Sequence, residues 1–211
     1  MARNDIVAAL IDAQGTLYSE EMGARIERDT PQELFHWLIG TIMLSARIGA
    51  AQAVQGASAL RREGLHKIDA IRAVDRTRLV RVLNENGYAR YDESTADYIR
   101  AAADLVFERY AGDLRRMREG DANAVRQAVQ EVKGIGPAGA GIFAREMQMV
   151  WDELHPSAEG PALDAAGDLG LPQDPGELAD LAGSPERMVR LVAGLTRAAL
   201  DGPAEAVRRA A

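Results

Sequence analysis

Two glycines separated by a single residue, Gly134 and Gly136, lie between two segments with helical patterns. Glycine allows a tight turn and leaves successive backbone amides without a side chain in front of them. Pro137 follows at the position of a first helical residue, where its missing N–H costs nothing and its fixed φ already suits a helix. The pattern predicts a helix N-terminus whose bare N–H groups can hold an anion such as a phosphate oxygen.

This turn is typical of a helix-hairpin-helix, a motif that grips the nucleic-acid backbone without distinguishing its sequence. On that interpretation the candidate contacts are Lys133, Gly134, Gly136, Ala138 and Gly139. The alternative is an ordinary glycine-rich corner between two packed helices, because short glycine motifs recur by chance. Residues 132–140 by themselves leave both interpretations open.

A single carboxylate, Glu159, is the second group that could do chemistry. Pro161 disfavours a helical conformation at the residue before it, so we expect Glu159 in a loop just ahead of a helix that starts near Ala162. Loops on a rigid helical scaffold commonly carry function. The alternative is a solvated glutamate in a connecting turn.

The composition limits the other kinds of site. The 211 residues include no cysteine, which excludes disulfides, thiolate zinc sites and cysteine-ligated iron–sulfur clusters. His36, His66 and His155 have no metal-ligand spacing, and we expect them to be surface or capping residues. We therefore expect no metal site built from side chains.

The net charge of −7 argues against a surface that is positive throughout. It permits a local nucleic-acid footprint built largely from backbone amides, and it predicts modest, salt-sensitive affinity. No apolar segment is long enough to span a bilayer, and the N-terminus lacks the basic-then-apolar order of a signal peptide. We expect a cytoplasmic protein with no membrane partner.

Helical signals dominate the chain, and no segment alternates apolar and polar residues for long enough to predict a sheet. The fold class predicted is all-α. Thr30 to Glu33 has the pattern of a capping box opening a helix through Ser45, and Asp75 is the expected cap of another helix. Further helices are predicted over residues 92–110, 121–132 and 138–151, and after the proline starts at 174–177 and 184–185.

Four segments in order resemble the helix-hairpin-helix DNA glycosylase superfamily, the endonuclease III relatives. They are residues 38–47 (LIGTIMLSAR), 82–88 (VLNENGY), the hairpin itself and 168–171 (DLGL), and the resemblance covers about residues 30 to 172. It implies a two-lobed helical protein that binds double-stranded DNA and flips a base out of the duplex. The central lobe would be residues 30–150, with the hairpin motif at about 124–150, and residues 1–29 with 151–211 would form the second lobe.

The departures from the family pattern bear on mechanism. Ala138 stands where bifunctional members carry a lysine that attacks the sugar, so covalent amine chemistry and strand cleavage are not expected. Counting back from Leu169 without gaps, Glu159 occupies the position of the aspartate that stabilises a developing sugar cation in monofunctional members of the family. Asp164 reaches that place only with a five-residue gap, and its helical position favours a surface or packing role. The four-cysteine cluster loop of the family is missing.

The resemblance also suggests roles for three other side chains. Arg47 occupies the place of a glutamine that fills the gap left by the flipped base, although an arginine there could equally satisfy carbonyls at a helix C-terminus. Tyr88 and Tyr91 are candidates for stacking on the extruded base, with a core role as the alternative. A monovalent cation held by hairpin carbonyls is implied as well; no other cofactor is.

The sequence thus favours a monofunctional DNA N-glycosylase of base excision repair, which hydrolyses the bond between a damaged base and its sugar without cutting the strand. Two alternatives stay open. One is a catalytically degenerate helix-hairpin-helix protein that binds DNA, and the other is a helical protein-interaction module, which the acidic balance favours. Protein partners are not indicated by any motif.

Overall fold

Helices connected by short turns make up the structure, a computed structural model that describes residues 3–211. No strand occurs among those residues, and the all-α class expected from the sequence is confirmed. The helices are α1 (Arg3–Gln14), α2 (Tyr18–Met22), α3 (Pro31–Leu44), α4 (Ala50–Arg62), α5 (Ile68–Ala73), α6 (Arg76–Glu85), α7 (Asp92–Tyr110), α8 (Ala122–Gln130), α9 (Pro137–Met147), α10 (Pro161–Asp168), α11 (Pro175–Ala182), α12 (Pro185–Asp201) and α13 (Glu205–Ala210).

The chain forms two compact units. The first, which we call the hairpin unit, is Tyr18–Phe143, and the second, the terminal unit, combines Met1–Leu17 with Ala144–Ala211. The boundary after residue 143 falls within α9. The lobe boundaries expected from the sequence lie near residues 30 and 150, which differ from these two points.

Helix α3 is the centre of the hairpin unit. Every residue from Glu33 to Met43 is buried, so this helix is covered on all sides. It packs against α2, α4 and α7. Residues 45–49 after its end form a bend that leads into α4. This bend and the turn after α8 are the two connections that matter for the candidate site.

The terminal unit has its own core, in which α12 packs against α1 and α10. Leu10 on α1, Ala166 on α10, and Leu191 and Leu195 on α12 are fully buried there. The proline starts predicted from the sequence are the observed helix starts, because a proline in the first helical turn loses no hydrogen bond. Asp174 and Ser184 also cap their helices as expected, accepting from the amides of Glu177 and Arg187.

The capping box predicted at the start of α3 is wrong. Pro31 does begin the helix, but the Thr30 hydroxyl accepts no capping hydrogen bond and has no partner in the described chain. Glu33 instead accepts two hydrogen bonds from the Arg61 guanidinium, both at 2.9 Å, and one from the Arg25 amide at 2.8 Å. A tertiary ion pair therefore replaces the local cap.

The expectation that all three histidines lie at the surface or cap helices is wrong for His36. Its ring is fully buried, and Nε2 donates to the Met22 carbonyl at 2.9 Å, since a carbonyl can only accept. The half-buried His66 ring meets it edge-on with 5.7 Å between centroids. Within residues 3–211 no helix is both long and apolar enough to cross a membrane.

Candidate nucleic-acid interface

The turn between α8 and α9 is closed by its own backbone. The Ile135 amide donates to the Val132 carbonyl at 3.0 Å, and Gly134 within the turn has a φ of +93°, a conformation that favours glycine. A Cβ on Gly134 would also lie 2.6 Å from the ring of Tyr98 on α7. Conformation and space both require glycine at this position.

The amides that follow the turn are unpaired. Helix α9 begins with the Ala140 amide donating to the Gly136 carbonyl at 2.9 Å, whereas the amides of Gly136, Ala138 and Gly139 donate to no carbonyl of the described chain. Gly136 and Ala138 are exposed, and the space in front of the Gly136 Cα holds no atom within 4 Å of an added Cβ. Two bare donors at the start of an eleven-residue helix therefore face solvent.

Gly139 occupies a different position from its two neighbours. It is buried, and a Cβ on it would lie 2.5 Å from the Ser45 Oγ and 2.9 Å from the Ile135 Cγ2. The absent side chain lets the first turn of α9 approach the end of α3 closely. Packing, rather than exposure of an amide, explains glycine here.

Two basic side chains border this corner. Lys133 is exposed, with its Nζ 5.4 Å from the centroid of the Tyr98 ring. Arg47 is exposed in the bend after α3, two residues beyond Ser45. Because two residues span at most about 7 Å of chain, the contact between Ser45 and Gly139 keeps the backbone of Arg47 close to the start of α9.

An acidic group also lies near the hairpin. Asp97 on α7 pairs with Arg76, whose Nε donates to its carboxylate at 2.6 Å. That hydrogen bond holds the pKa of Asp97 below its ordinary value, with smaller contributions from the charges of Arg76 and Lys133. Since Asp97 is already matched by Arg76, the positive charge of Lys133 is only partly offset.

The two tyrosines proposed to stack on a base differ in access. Tyr88 is fully buried, with its hydroxyl donating to the Met43 carbonyl at 3.2 Å and accepting from the Thr95 hydroxyl at 3.3 Å. Burial raises its pKa. Tyr88 is a core residue here, and stacking on a base would require its ring to leave this packing. Tyr91 is half-buried, with the guanidinium carbon of Arg90 5.3 Å from its ring centroid.

Glu159 belongs to the terminal unit and is exposed in a loop before α10, as the sequence predicts. The loop is held by reciprocal hydrogen bonds: the Ser157 amide donates to the Gln148 side-chain oxygen at 2.8 Å, and the Gln148 amide group donates to the Ser157 carbonyl at 2.7 Å. Gly160, with a φ of +57°, connects Glu159 to the first turn of α10. Asp164, the alternative carboxylate, is exposed on α10 itself.

The carbonyls of Val132 and Gly136 accept the amides of Ile135 and Ala140. A monovalent cation held by hairpin carbonyls stays a prediction. No step of the function proposed below depends on a cation. Within the described residues there is also no group of three histidine, cysteine or acidic side chains able to hold a metal ion.

Neither the comparison of the chain with models of protein families nor that with curated proteins gives a match.

Proposed function

We propose that this protein binds the backbone of double-stranded DNA through the hairpin corner, defined as residues 131–139 together with Arg47, and hydrolyses the N-glycosidic bond of a damaged base. The observation that carries the binding step is the pair of exposed, unpaired amides of Gly136 and Ala138 at the start of α9. Such amides bind phosphate oxygens through direct hydrogen bonds and through the positive end of the helix dipole.

The composition of the corner favours contact with the backbone rather than with base edges. Lys133 and Arg47 supply charges that can meet phosphates, and the glycine turn leaves no side chain between the amides and an approaching strand. Contacts of this kind position a protein on DNA but carry little sequence information. A protein that examines a duplex for a lesion needs this property.

The catalytic step is assigned to Glu159, on the resemblance and on its place in a braced, exposed loop. As the bond between C1′ and the base nitrogen breaks, the carboxylate stabilises the positive charge that develops on the sugar. Water then forms the new bond to C1′ and gives up a proton, which the carboxylate can accept, while the base leaves with the bonding electrons. No lysine stands at position 138, so the strand stays intact.

One observation favours a DNA-binding protein without catalysis as the second candidate. Glu159 is exposed, and water weakens the interaction between a solvated carboxylate and a nearby cation. A glutamate is also one methylene longer than the aspartate of the family, and a displacement on the order of 1 Å can cost about a hundredfold in rate. Binding and catalysis therefore need separate experiments.

Ala138→Asp tests the binding step with a built-in control of folding. A carboxylate in the first turn stabilises a helix N-terminus, whereas it repels a phosphate at the same place. We expect an unchanged or higher Tm together with at least about tenfold weaker binding of a labelled duplex, measured by fluorescence anisotropy at low salt.

Ala206→Asp is the matched control, because Ala206 is exposed, is the second residue of α13 and undergoes the same change of charge. Its duplex affinity should stay within about twofold of the parent, because Ala206 is not part of the hairpin corner. Equal losses in both variants would remove the hairpin corner from the DNA contact, whereas no duplex binding by the parent even at low salt would favour the protein-interaction alternative.

Glu159→Gln tests the catalytic step. Duplexes carrying uracil, alkylated or oxidised bases are incubated with the parent and the variant, and release of the free base is measured together with duplex binding. We expect base release from one lesion class, lost in the variant at unchanged affinity. Binding without release from any substrate would support the non-catalytic candidate.

A further inference from the structure

We propose that Tyr98, on α7, is a positioning residue for the DNA contact, whose ring holds the Lys133 ammonium in place for a phosphate and packs against the glycine turn. This inference rests on the proposed binding of duplex DNA. Tyr98 and Lys133 are far apart in sequence, and only the packing of α7 against the turn brings them together.

The Tyr98 ring lies directly against the backbone of Gly134. A Cβ added to Gly134 would lie 2.6 Å from the ring Cδ2, 3.1 Å from Cε2 and 3.2 Å from Cγ. The ring therefore fills the space in which a side chain would stand, and the turn cannot move toward α7 without a clash. Because Tyr98 is half-buried, part of its surface stays accessible beside the turn.

The same ring attracts the side chain of Lys133. The Lys133 Nζ lies 5.4 Å from the ring centroid, within the range of about 6 Å over which a cation interacts with an aromatic face. A lysine side chain is flexible and loses rotamer freedom when it is fixed on a ligand. A lysine that is already held over a ring loses less on binding, so its contact with a phosphate is stronger.

The ring holds Lys133 without neutralising it. Lys133 has no ion-pair partner within residues 3–211. The carboxylate of Asp97, which is next to Tyr98 in the chain, accepts from the Arg76 Nε at 2.6 Å and from its Nη2 at 3.1 Å. A carboxylate paired with Lys133 would cancel the charge that a phosphate needs, whereas an aromatic ring leaves that charge available.

Replacement of Tyr98 tests this role, with affinity for a labelled duplex measured by fluorescence anisotropy at low salt. Tyr98→Leu removes the aromatic face but keeps an apolar side chain against the turn. We expect about two- to fivefold weaker binding, the size of a cation–π contact at an exposed site. Tyr98→Phe keeps the face and should bind like the parent. Thermal unfolding shows that both variants are folded.

Phe107→Leu is the matched control. Phe107 lies nine residues after Tyr98 on α7, which at about 3.6 residues per turn places it on the opposite side of the helix. Its ring also carries a cation, since the guanidinium carbon of Arg72 is 3.7 Å from its centroid. This variant should bind the duplex like the parent. A loss equal to that of Tyr98→Leu would assign the effect to α7 in general and overturn the proposal.

The combination of Tyr98→Leu with Lys133→Gln separates positioning from a merely structural role. If the ring acts through Lys133, Tyr98→Leu should cause no further loss of affinity in the Lys133→Gln protein. NMR gives a second readout, because Lys67 and Lys133 are the only lysines of the chain and both can be labelled by ¹³C-methylation. The Lys133 signal should be shifted by the ring, lose that shift in Tyr98→Leu, and move on addition of duplex.

The outcomes separate this inference from the function on which it rests. Additive losses in the double variant, or a Tyr98→Leu protein that binds like the parent, would overturn the role of Tyr98 while the duplex binding of the parent stands. A parent that binds no duplex even at low salt would overturn the proposed function and this inference together.

Discussion

The Ser45 hydroxyl oxygen occupies the space that a side chain on Gly139 would need: an added Cβ would lie 2.5 Å from it. That hydroxyl donates to the Thr41 carbonyl at 2.7 Å, which fixes it at the end of α3. The first turn of α9 therefore rests directly on the end of α3. This contact joins the hairpin corner to the most buried helix of its unit.

Gly139→Ala should destabilise the protein by about 1–3 kcal/mol, the usual cost of forcing an extra carbon into a packed contact. Gly136→Ala is the matched control, because a Cβ there meets no atom within 4 Å, and its effect should stay within about 0.5 kcal/mol. Urea unfolding measures both. Adding Ser45→Ala to Gly139→Ala should recover part of the loss, and strictly additive effects would show that the contact does not determine the cost.

Lys133→Gln should reduce the salt dependence of duplex binding. If Lys133 neutralises one phosphate, the slope of log affinity against log salt becomes shallower by about 1. Lys67→Gln is the control, since Lys67 is exposed in the same unit and is the other lysine of the chain. A slope unchanged by Lys133→Gln, or changed equally by both variants, would remove Lys133 from the DNA contact.

Stability should fall as the pH drops from about 6.5 toward 4, because of His36. Burial lowers the pKa of this ring from 6.5 to about 4, and the nearby Arg61 charge adds to the effect. Because the pKa of His36 is lower in the folded than in the unfolded state, the neutral ring makes its full contribution to stability above about pH 6.5. This contribution is lost as the pH falls toward the folded-state pKa. The difference between the two pKa values corresponds to about 3 kcal/mol of unfolding free energy, of which about 2 kcal/mol should be lost between pH 7 and 5.

Denaturant unfolding at these two pH values, for the parent and for His36→Gln, measures the effect. The glutamine amide can still donate to the Met22 carbonyl but does not titrate, so the variant should lose less stability on acidification. His66, whose pKa burial also lowers, contributes in the same direction and stays present in both proteins. Identical pH dependence in parent and variant would contradict the assignment to His36.

Arg61→Met should destabilise the protein by about 2–4 kcal/mol, because it leaves a buried carboxylate with a single donor. The Glu33 side chain is only 2% exposed. Burial alone would raise its pKa, but the hydrogen bonds from Arg61 and from the Arg25 amide outweigh burial, so the pKa of Glu33 lies below 4.5. The ion pair therefore stabilises the fold above about pH 4.5, and this contribution is lost as the pH falls through the lowered pKa.

Arg78→Met is the control for this variant. In the parent, the Arg78 guanidinium forms an ion pair with the Glu63 carboxylate at 3.2 Å between nitrogen and oxygen, and both side chains are about half exposed. Exposed pairs contribute little, so unfolding by urea should show a change of no more than about 1 kcal/mol. A loss as large as that of Arg61→Met would mean that burial of Glu33 does not decide the effect.

Local chemistry was sufficient to predict the boundaries of several helices. Helix α7 begins at Asp92 and ends at Tyr110 as expected, and Asp121 caps α8 by accepting from the amides of Asn123 and Ala124. Prolines and short polar side chains act within one helical turn of their own position. The exposed amide of Gly136 follows from the same kind of local rule, since glycine and the following proline define it.

Groups whose partners lie far along the chain could be placed only by the tertiary structure. Glu33 fits a capping box in sequence, yet it pairs with Arg61, 28 residues away. Tyr88 is polar enough to suit a binding pocket, but its hydroxyl finds the Met43 carbonyl in the core. The sequence alone determined where several helices start, because capping residues and prolines act on the turn next to them. Which side chains became core or ion pair depended on packing between distant segments.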